Sequence, residues 1–193
     1  MYVESKAMAD SLETGAQAEL PEIARLVERA QGGDPEAFSS LHARFALSVH
    51  AVLVARLPAA DADDGLQETF VLAWKGLPAL RERGSIGPWL LAIARNVARD
   101  RRREMRDAGA RLVEVTAGIE GPATERDELR GRVMEHLRSL PDAYKETLAM
   151  RLIEGMSGPE IAAATGLTAG SVRVNLSRGM NLLRELLEKE GWP

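Results

Sequence analysis

The residues best suited to chemistry lie in one stretch, MSGPEIAAATGLTAGSVRVNLSRG, where hydroxyl and guanidinium groups recur at helical spacing. At about 100° per residue, a helix here turns Val172, Leu176 and Gly179 inward. Residues at the start of this helix, on its outer face and on its flanks can bond to phosphates and base edges or contact thymine methyls. The candidates are Thr168, Gly170, Ser171, Arg173, Val174, Ser177 and Arg178. This chemistry is that of recognising DNA in a major groove.

The same stretch has the signals of two short helices joined by a sharp turn. Ser157 and Glu160 have the spacing of a capping box at the start of the first helix. Gly166 can end that helix in the left-handed conformation, and Thr168 can cap the next one. The pattern is typical of a helix-turn-helix. An ordinary pair of helices with a solvated polar face is the other interpretation.

A second candidate surface is basic although the chain as a whole is acidic, with a formal net charge of -4. Residues 81–111 hold nine arginines against four acids, whereas residues 1–40 hold three basic residues against eight acids. Salt screens charges beyond roughly 8–10 Å, so a DNA strand responds to the local basic stripe. Net acidity therefore allows DNA binding, but it predicts weak non-specific affinity for the chain alone.

The elements that must position these residues are predicted to be helices. The chain is 45% hydrophobic and only 4% aromatic, and its apolar residues recur at helical spacing. Leu66, Phe70 and Trp74 show this spacing, and we expect them in the core. We predict an all-α fold of two small domains joined by a flexible linker. The ranges are a flexible acidic tail at 1–19, a first domain at 20–105, the linker at 106–124 and the helix-turn-helix domain at 125–190.

Composition argues against several other classes of protein. The chain has no cysteine, its three histidines are sparse, and it has no glycine-rich phosphate loop. We therefore expect no catalytic residue, no metal and no cofactor. No apolar run reaches 18 residues and the amino-terminal stretch lacks the order of a secretory signal, so we expect a cytoplasmic protein that does not bind membranes.

Several motifs in order resemble the extracytoplasmic-function (ECF) sigma factors, the small bacterial initiation factors of RNA polymerase. They are GDPEAFSSL, DADDGLQETFVLAWKGL, SIGPWLLAIARNVARDRRR and LRSLPDAYKETLAMRLIEGMSGPEIAAATGLTAGSVRVNLSRG. The resemblance extends from about Pro21 to Leu187. It implies a protein that binds core RNA polymerase, directs it to specific promoters and helps to melt the minus-ten element.

The resemblance also assigns roles to residues in the first domain. It implies that the clamp helices of the polymerase's largest subunit are contacted by Asp64, Gln67 and Glu68. The melted minus-ten strand needs a cationic backbone track and a pocket for an unstacked base. The candidates for that site are Arg81, Arg83, Ser85, Arg95, Asn96, Arg99 and Arg103. A merely solvated helix face is the alternative for each arginine.

In the second domain, the resemblance implies that the helix-turn-helix reads the minus-thirty-five element and docks on the flap of the second-largest subunit. It also implies an anti-sigma factor as a further partner. The family usually has alanine where Gly179 stands and often has basic residues in place of Asn175 and Met180. Fewer phosphate contacts predict weaker and less salt-sensitive engagement of that element.

A stand-alone helix-turn-helix regulator is the alternative function. Such regulators usually bind paired half-sites as dimers. This alternative gives no role to the LQETFVLAW stretch or to the arginines of residues 81–111. A sigma-like protein whose true partner is an anti-sigma factor also stays open.

Overall fold

The computed structural model describes residues 21–112 and 125–191, and every α-helix and short 3₁₀ turn of these ranges follows. The α-helices are α1 (21–31), α2 (Pro35–Val54), α3 (Ala59–Gly76), α4 (Ile86–Leu112), α5 (Glu125–Ser139), α6 (Asp142–Leu152), α7 (Gly158–Thr165) and α8 (Ala169–Lys189). Two 3₁₀ turns, Leu77–Ala79 and Arg83–Ser85, connect α3 to α4. The described ranges contain no strand, which confirms the prediction of an all-α fold.

Helices α1 to α4 form the first half, in which α2 packs against both α3 and α4. Asp34 caps α2 by accepting hydrogen bonds from the backbone N–H groups of Glu36 (2.9 Å) and Ala37 (3.2 Å). The predicted apolar stripe of α2 is buried, as Leu41, Phe45 and Val49 show. Burial of this stripe stabilises the first half.

Helix α2 is long and apolar enough to cross a membrane when judged by length and composition alone. Half of its most apolar window is buried inside the fold. Helix α2 packs against α3, α4 and α6, which is the arrangement of a core helix in a globular protein.

The core prediction for α3 is wrong at one position. Phe70 is buried at 5% exposure, but the side chain of Trp74 is 39% exposed. Trp74 packs against Phe38 in a T-shaped arrangement, with the ring centroids 4.8 Å apart, and part of its surface remains exposed to solvent. Four-residue spacing placed both residues on one stripe, but α2 covers Phe70 almost completely and Trp74 only in part.

Helix α4 is longer than the sequence predicted. It continues to Leu112, so its last turns occupy residues that were predicted as linker. Arginine is a good helix former, and the arginine-rich run has no proline to end the helix. The remainder of the predicted linker, 113–124, and the predicted tail, 1–19, lie outside the described residues.

The second half contains the predicted helix-turn-helix. The backbone N–H of Ser157 donates to Glu160 (2.7 Å) and the N–H of Glu160 donates to the Ser157 hydroxyl (3.4 Å), which completes the capping box. Gly166 ends α7 with φ at +72°, and the Thr168 hydroxyl accepts from the N–H of Ser171 (3.1 Å) at the start of α8. The turn chemistry predicted from the sequence is confirmed.

Helix α8 lies close against α6. Val172, Gly179 and Leu183 are buried on its inner face. A Cβ on Gly179 would lie 2.9 Å from Cδ1 of Leu148 and 3.1 Å from Cβ of Tyr144. A larger residue here would therefore require Leu148 and Tyr144 to shift, so the glycine allows the closer approach of α8 to α6.

The two halves also contact each other directly, because α6 packs on α2 and α7 packs on α4. The Arg138 guanidinium donates to the backbone carbonyls of Val54 (3.2 Å) and Leu57 (2.8 Å) at the end of α2. A Cβ on Gly87, at the start of α4, would lie only 2.6 Å from the carbonyl oxygen of Ala164. This contact between the halves determines which of the candidate residues are free to bind a ligand.

Candidate nucleic-acid interface

The outer face of α8 is presented to solvent, and we call it the recognition face. All seven residues predicted to read DNA are exposed, namely Thr168, Gly170, Ser171, Arg173, Val174, Ser177 and Arg178. Thr168 also holds the helix start, since its hydroxyl lies 2.9 Å from the hydroxyl of Ser171. The structure therefore brings together hydroxyl, methyl and guanidinium groups on one side of a fixed helix, as major-groove reading requires.

The basic surface of the first half is organised along one stripe of α4. Arg95, Arg99, Arg102 and Arg106 follow one another at steps of four, three and four residues, and therefore share a face. They line a cleft of about 520 Å³ between α4 and α6, which we call the arginine cleft; its other lining residues are Arg56, Ala92, Asn96, Asp142 and Lys145.

Some of the residues predicted to form the cationic track line the arginine cleft, and one does not. The structure brings Arg95, Asn96 and Arg99 to one cleft. Arg103 is exposed, but it does not line that cleft, and Arg102 and Arg106 take that place instead. The spacing of the arginines alone could have identified Arg102 and Arg106.

Arg95 is held by the second half of the molecule. Its Nε and Nη2 atoms donate to the two carboxylate oxygens of Glu146 on α6, each over 2.8 Å. This hydrogen bonding raises the pKa of Arg95, against the opposing effect of burial. By contrast, the side chain of Arg99 is 72% exposed, with Asp100 at 3.7 Å. Arg95 is therefore already occupied in this arrangement, whereas Arg99 is open to a ligand.

The connection from α3 to α4, which holds the other minus-ten candidates, is fixed by α1. Gln31 donates through Nε2 to the backbone carbonyls of Leu77 (3.0 Å) and Leu80 (2.8 Å). Its Oε1 accepts from Nε of Arg83 (3.0 Å), and Glu28 lies 3.1 Å from the same guanidinium. Arg83 therefore connects this segment to α1. Sequence reasoning missed Gln31 because its partners lie 46 to 52 residues away.

The remaining candidates in this segment differ in how they are held. Arg81 is exposed. The Ser85 hydroxyl lies 3.3 Å from a carboxylate oxygen of Glu82, to which it donates. The segment thus presents Arg81 to solvent and keeps Ser85 close to the start of α4.

The three predicted polymerase-contacting residues are exposed on α3. Glu68 pairs with Nε of Arg101 at 2.9 Å, and Asp64 lies 3.8 Å from the same guanidinium. Beside these residues and Gln67, the apolar side chains of Val71, Leu72 and Trp74 are also exposed. We call these six residues the α3 surface. Exposed apolar groups next to charged ones are typical of a surface that binds another protein.

Comparison with known proteins gives two family matches. The family described as Sigma-70 region 2 matches residues 41–107, and that described as Sigma-70, region 4 matches residues 130–183. The first range falls within α2 to α4 and the second within α5 to α8. The division of the fold into two halves therefore coincides with the two matched families.

The chain is also similar to individual proteins along most of their length. It shares 34% identity with the RNA polymerase sigma factor CarQ of Myxococcus xanthus over 171 residues, which cover 83% of this chain and 95% of CarQ. It shares 30% identity with the ECF RNA polymerase sigma-E factor of Salmonella typhimurium over 184 residues, covering 87% and 93%. The structure of CnrH in complex with the cytosolic domain of CnrY matches with a TM-score of 0.56 and 30% identity, covering 86% of this chain and 97% of CnrH.

Proposed function

Because the chain belongs to the ECF subfamily of RNA polymerase sigma factors, we propose that it binds core RNA polymerase, directs it to specific promoters and helps to melt the minus-ten element. The observation that carries this proposal is the presence of two separate cationic surfaces on one chain, the recognition face and the arginine cleft. One suits duplex DNA and the other suits a single strand.

At the minus-thirty-five element, α8 enters the major groove of duplex DNA. Val174 contacts thymine methyls, and Ser171 and Ser177 bond to base edges or phosphates. Arg173 and Arg178 contact phosphates or guanine. Because the second half supplies few cations, its affinity for this element depends on the polymerase holding it in place, through a contact with the flap of the second-largest subunit.

At the minus-ten element, the first half captures a strand that has been separated from its complement. The arginines of α4 form a track for the strand's phosphates, and Asn96 lies beside them in the arginine cleft. An unstacked base would be held by the segment 81–88. Binding of the single strand stabilises the melted state, which is how the protein assists melting without catalysing a reaction.

The α3 surface is the contact for the clamp helices of the polymerase's largest subunit. Val71 and Leu72 would become buried there, and Gln67 would supply a polar contact. The similar protein CnrH is known in complex with a cytosolic domain of another protein. This supports our proposal that the present chain also has a protein partner, an anti-sigma factor, and that it acts in the cytoplasm.

In vitro transcription distinguishes this function from that of a stand-alone regulator. The purified chain is added to core RNA polymerase with a library of random promoters, and transcripts are sequenced. We expect transcripts only when both chain and core are present. A chain that protects a DNA site by itself and yields no core-dependent transcript would support the regulator instead.

A further inference from the structure

We propose that Arg56 and Arg95 together form a phosphate-binding site for the backbone of single-stranded promoter DNA, and that Glu146 occupies this site whenever the two halves are in contact. We call these two arginines the phosphate socket. The inference rests on the proposed function, since it adds a site and a form of regulation to the minus-ten surface.

The geometry of the socket is that of a preformed anion site. Arg56, just after the end of α2, and Arg95, on α4, approach the same carboxylate from two sides. Glu146 accepts one hydrogen bond from Nη2 of Arg56 (2.5 Å) and two from Arg95 (2.8 Å each). Nη1 of Arg56 donates to the backbone carbonyl of Val52 (3.0 Å), which fixes that guanidinium on the first half of the molecule.

Burial makes the occupant of the socket important. The side chains of Arg56 and Glu146 are each only 7% exposed. Asp142 also lies near, 3.2 Å from Nη2 of Arg56, but its carboxylate is largely exposed. Removing Glu146 from a site of this kind leaves buried guanidinium charge without its main partner, which is strongly unfavourable. When the halves separate, α6 moves away with Glu146 and Asp142, and the two guanidiniums become free to take another anion.

A DNA phosphate suits the vacated site for two reasons. Phosphate and carboxylate both accept paired N–H donors from guanidinium groups in the same planar manner. The socket is also continuous with the arginine cleft, because Arg56 and Arg95 line it together with Arg99, Arg102 and Arg106. A strand whose phosphates follow the arginines of α4 would thus reach the socket.

The consequence is a competition between the second half of the protein and the DNA strand. Glu146 lies on α6, so its carboxylate leaves the socket only if α6 moves away from α2 and α4. Binding of a strand at the socket is therefore coupled to separation of the halves. When most molecules are closed, the apparent affinity for DNA is lower, in proportion to the fraction of molecules that is open.

The direct test measures binding of a labelled single strand of random sequence, about 16 nucleotides long, to the full chain. Glu146→Gln keeps the shape of the side chain but removes its charge. We expect this variant to bind the strand about tenfold more tightly and to steepen the salt dependence by about 0.7 for each phosphate gained. Adding Arg56→Ala to Glu146→Gln should abolish the gain.

The matched control is Glu154→Gln, which removes the carboxylate that pairs with His50 at 2.7 Å. Glu154 follows α6 and bridges the same two halves, but it does not touch the socket. Because a glutamine can still hydrogen-bond to His50 and hold the halves together, we expect its affinity to stay within about twofold of the wild type. If both variants gain equally, opening alone unmasks DNA binding, and the socket is refuted. If Glu146→Gln gains nothing, the proposal is also refuted.

A second measurement uses the unaltered socket, so its result does not depend on how Glu146→Gln folds. The chain has no cysteine, and dyes can be attached through Glu22→Cys on α1 and Glu185→Cys on α8, both exposed positions. We expect energy transfer between the dyes to fall as single-stranded DNA is added. The DNA concentration at the midpoint of this fall should equal that at the midpoint of DNA binding. DNA binding with unchanged transfer would overturn the proposal. Neither assay contains polymerase, so loss of core-dependent transcription would refute the proposed function separately.

Discussion

The recognition face of α8 and the arginine cleft of α4 both present cations, but they are built in different ways. The recognition face depends on local signals: the Thr168 cap, the Gly166 turn and the helical period place its seven residues outward. In the first half, Arg95 is held by Glu146 on α6 and Arg83 by Gln31 on α1. One surface is therefore ready to bind, whereas the other is partly occupied by the protein itself.

The largest effect should come from breaking the support of the recognition face. Leu148 on α6 is fully buried and lies against Gly179 of α8. Leu148→Ala should lower the free energy of unfolding by about 2–5 kcal/mol, because it leaves a cavity beneath the helix. Urea unfolding followed by circular dichroism measures this. Leu152→Ala, at an exposed position of the same helix, is the control and should change stability by less than about 0.5 kcal/mol.

Gln31→Leu tests whether distant contacts hold the minus-ten segment. The substitution removes three hydrogen bonds and leaves the carbonyls of Leu77 and Leu80 without this donor. Loss of these hydrogen bonds should destabilise the segment by about 1–3 kcal/mol. Promoter melting should therefore fall about tenfold, while affinity for core polymerase stays unchanged. Permanganate footprinting of the minus-ten region measures melting.

The control for this prediction is Arg25→Ala, an exposed residue of the same helix. It should melt promoters like the wild type. Equal losses in melting and in core binding for Gln31→Leu would show that Gln31 supports the fold of the whole first half and not the segment in particular.

Arg173→Ala tests the recognition face at a single cation. If Arg173 contacts one phosphate, the slope of log affinity against log salt concentration should decrease by about 0.9 for duplex promoter DNA. Holoenzyme binding in a salt series measures the slope. Arg184→Ala, an exposed residue three turns further along α8, is the control. An unchanged slope for Arg173→Ala would mean that this side chain does not reach the backbone.

The smallest expected effect concerns the charge of the capping box before α7. Hydrogen bonds from the side chain and backbone of Ser157 lower the pKa of the exposed Glu160. A carboxyl whose pKa is lowered by folding stabilises the protein above its unfolded pKa, and this contribution is lost as pH falls through the folded value. Glu160→Gln should therefore be less stable than wild type by about 0.3 kcal/mol at neutral pH, after screening by solvent.

The same difference should vanish at acid pH, where both side chains are neutral. Thermal unfolding of the two proteins between neutral pH and a pH well below the ordinary glutamate pKa of about 4.3 tests this. A stability difference that persists at the lowest pH would show that the charge of Glu160 is not its cause.

These contrasts show how far sequence could predict the molecule. The caps at Ser157 and Thr168, the turn at Gly166 and the exposed residues of α8 follow from patterns a few residues long, and the structure confirms them. The occupation of Arg95 was not predictable in this way, because Glu146 lies 51 residues from Arg95 and 90 residues from Arg56. Only tertiary packing brings these groups together.

Two further differences between prediction and structure have separate origins. The exposure of Trp74 depends on how far α2 covers α3, which helical spacing alone does not specify. The continuation of α4 to Leu112 depends on helix propensity in a run that has no apolar period. The spacing of apolar residues predicts which face of a helix is buried. It says nothing about where a helix ends once it extends beyond the core.

The measurement that tests the central claim most directly is the spacing of promoter elements selected by the reconstituted holoenzyme. Core polymerase and this chain are incubated with random promoter DNA, and the templates of the resulting transcripts are sequenced. If two surfaces are used at once, the templates will share two elements at one narrow separation, and selection will require core. Templates that share one element only, or a selection that succeeds without core, would contradict the account.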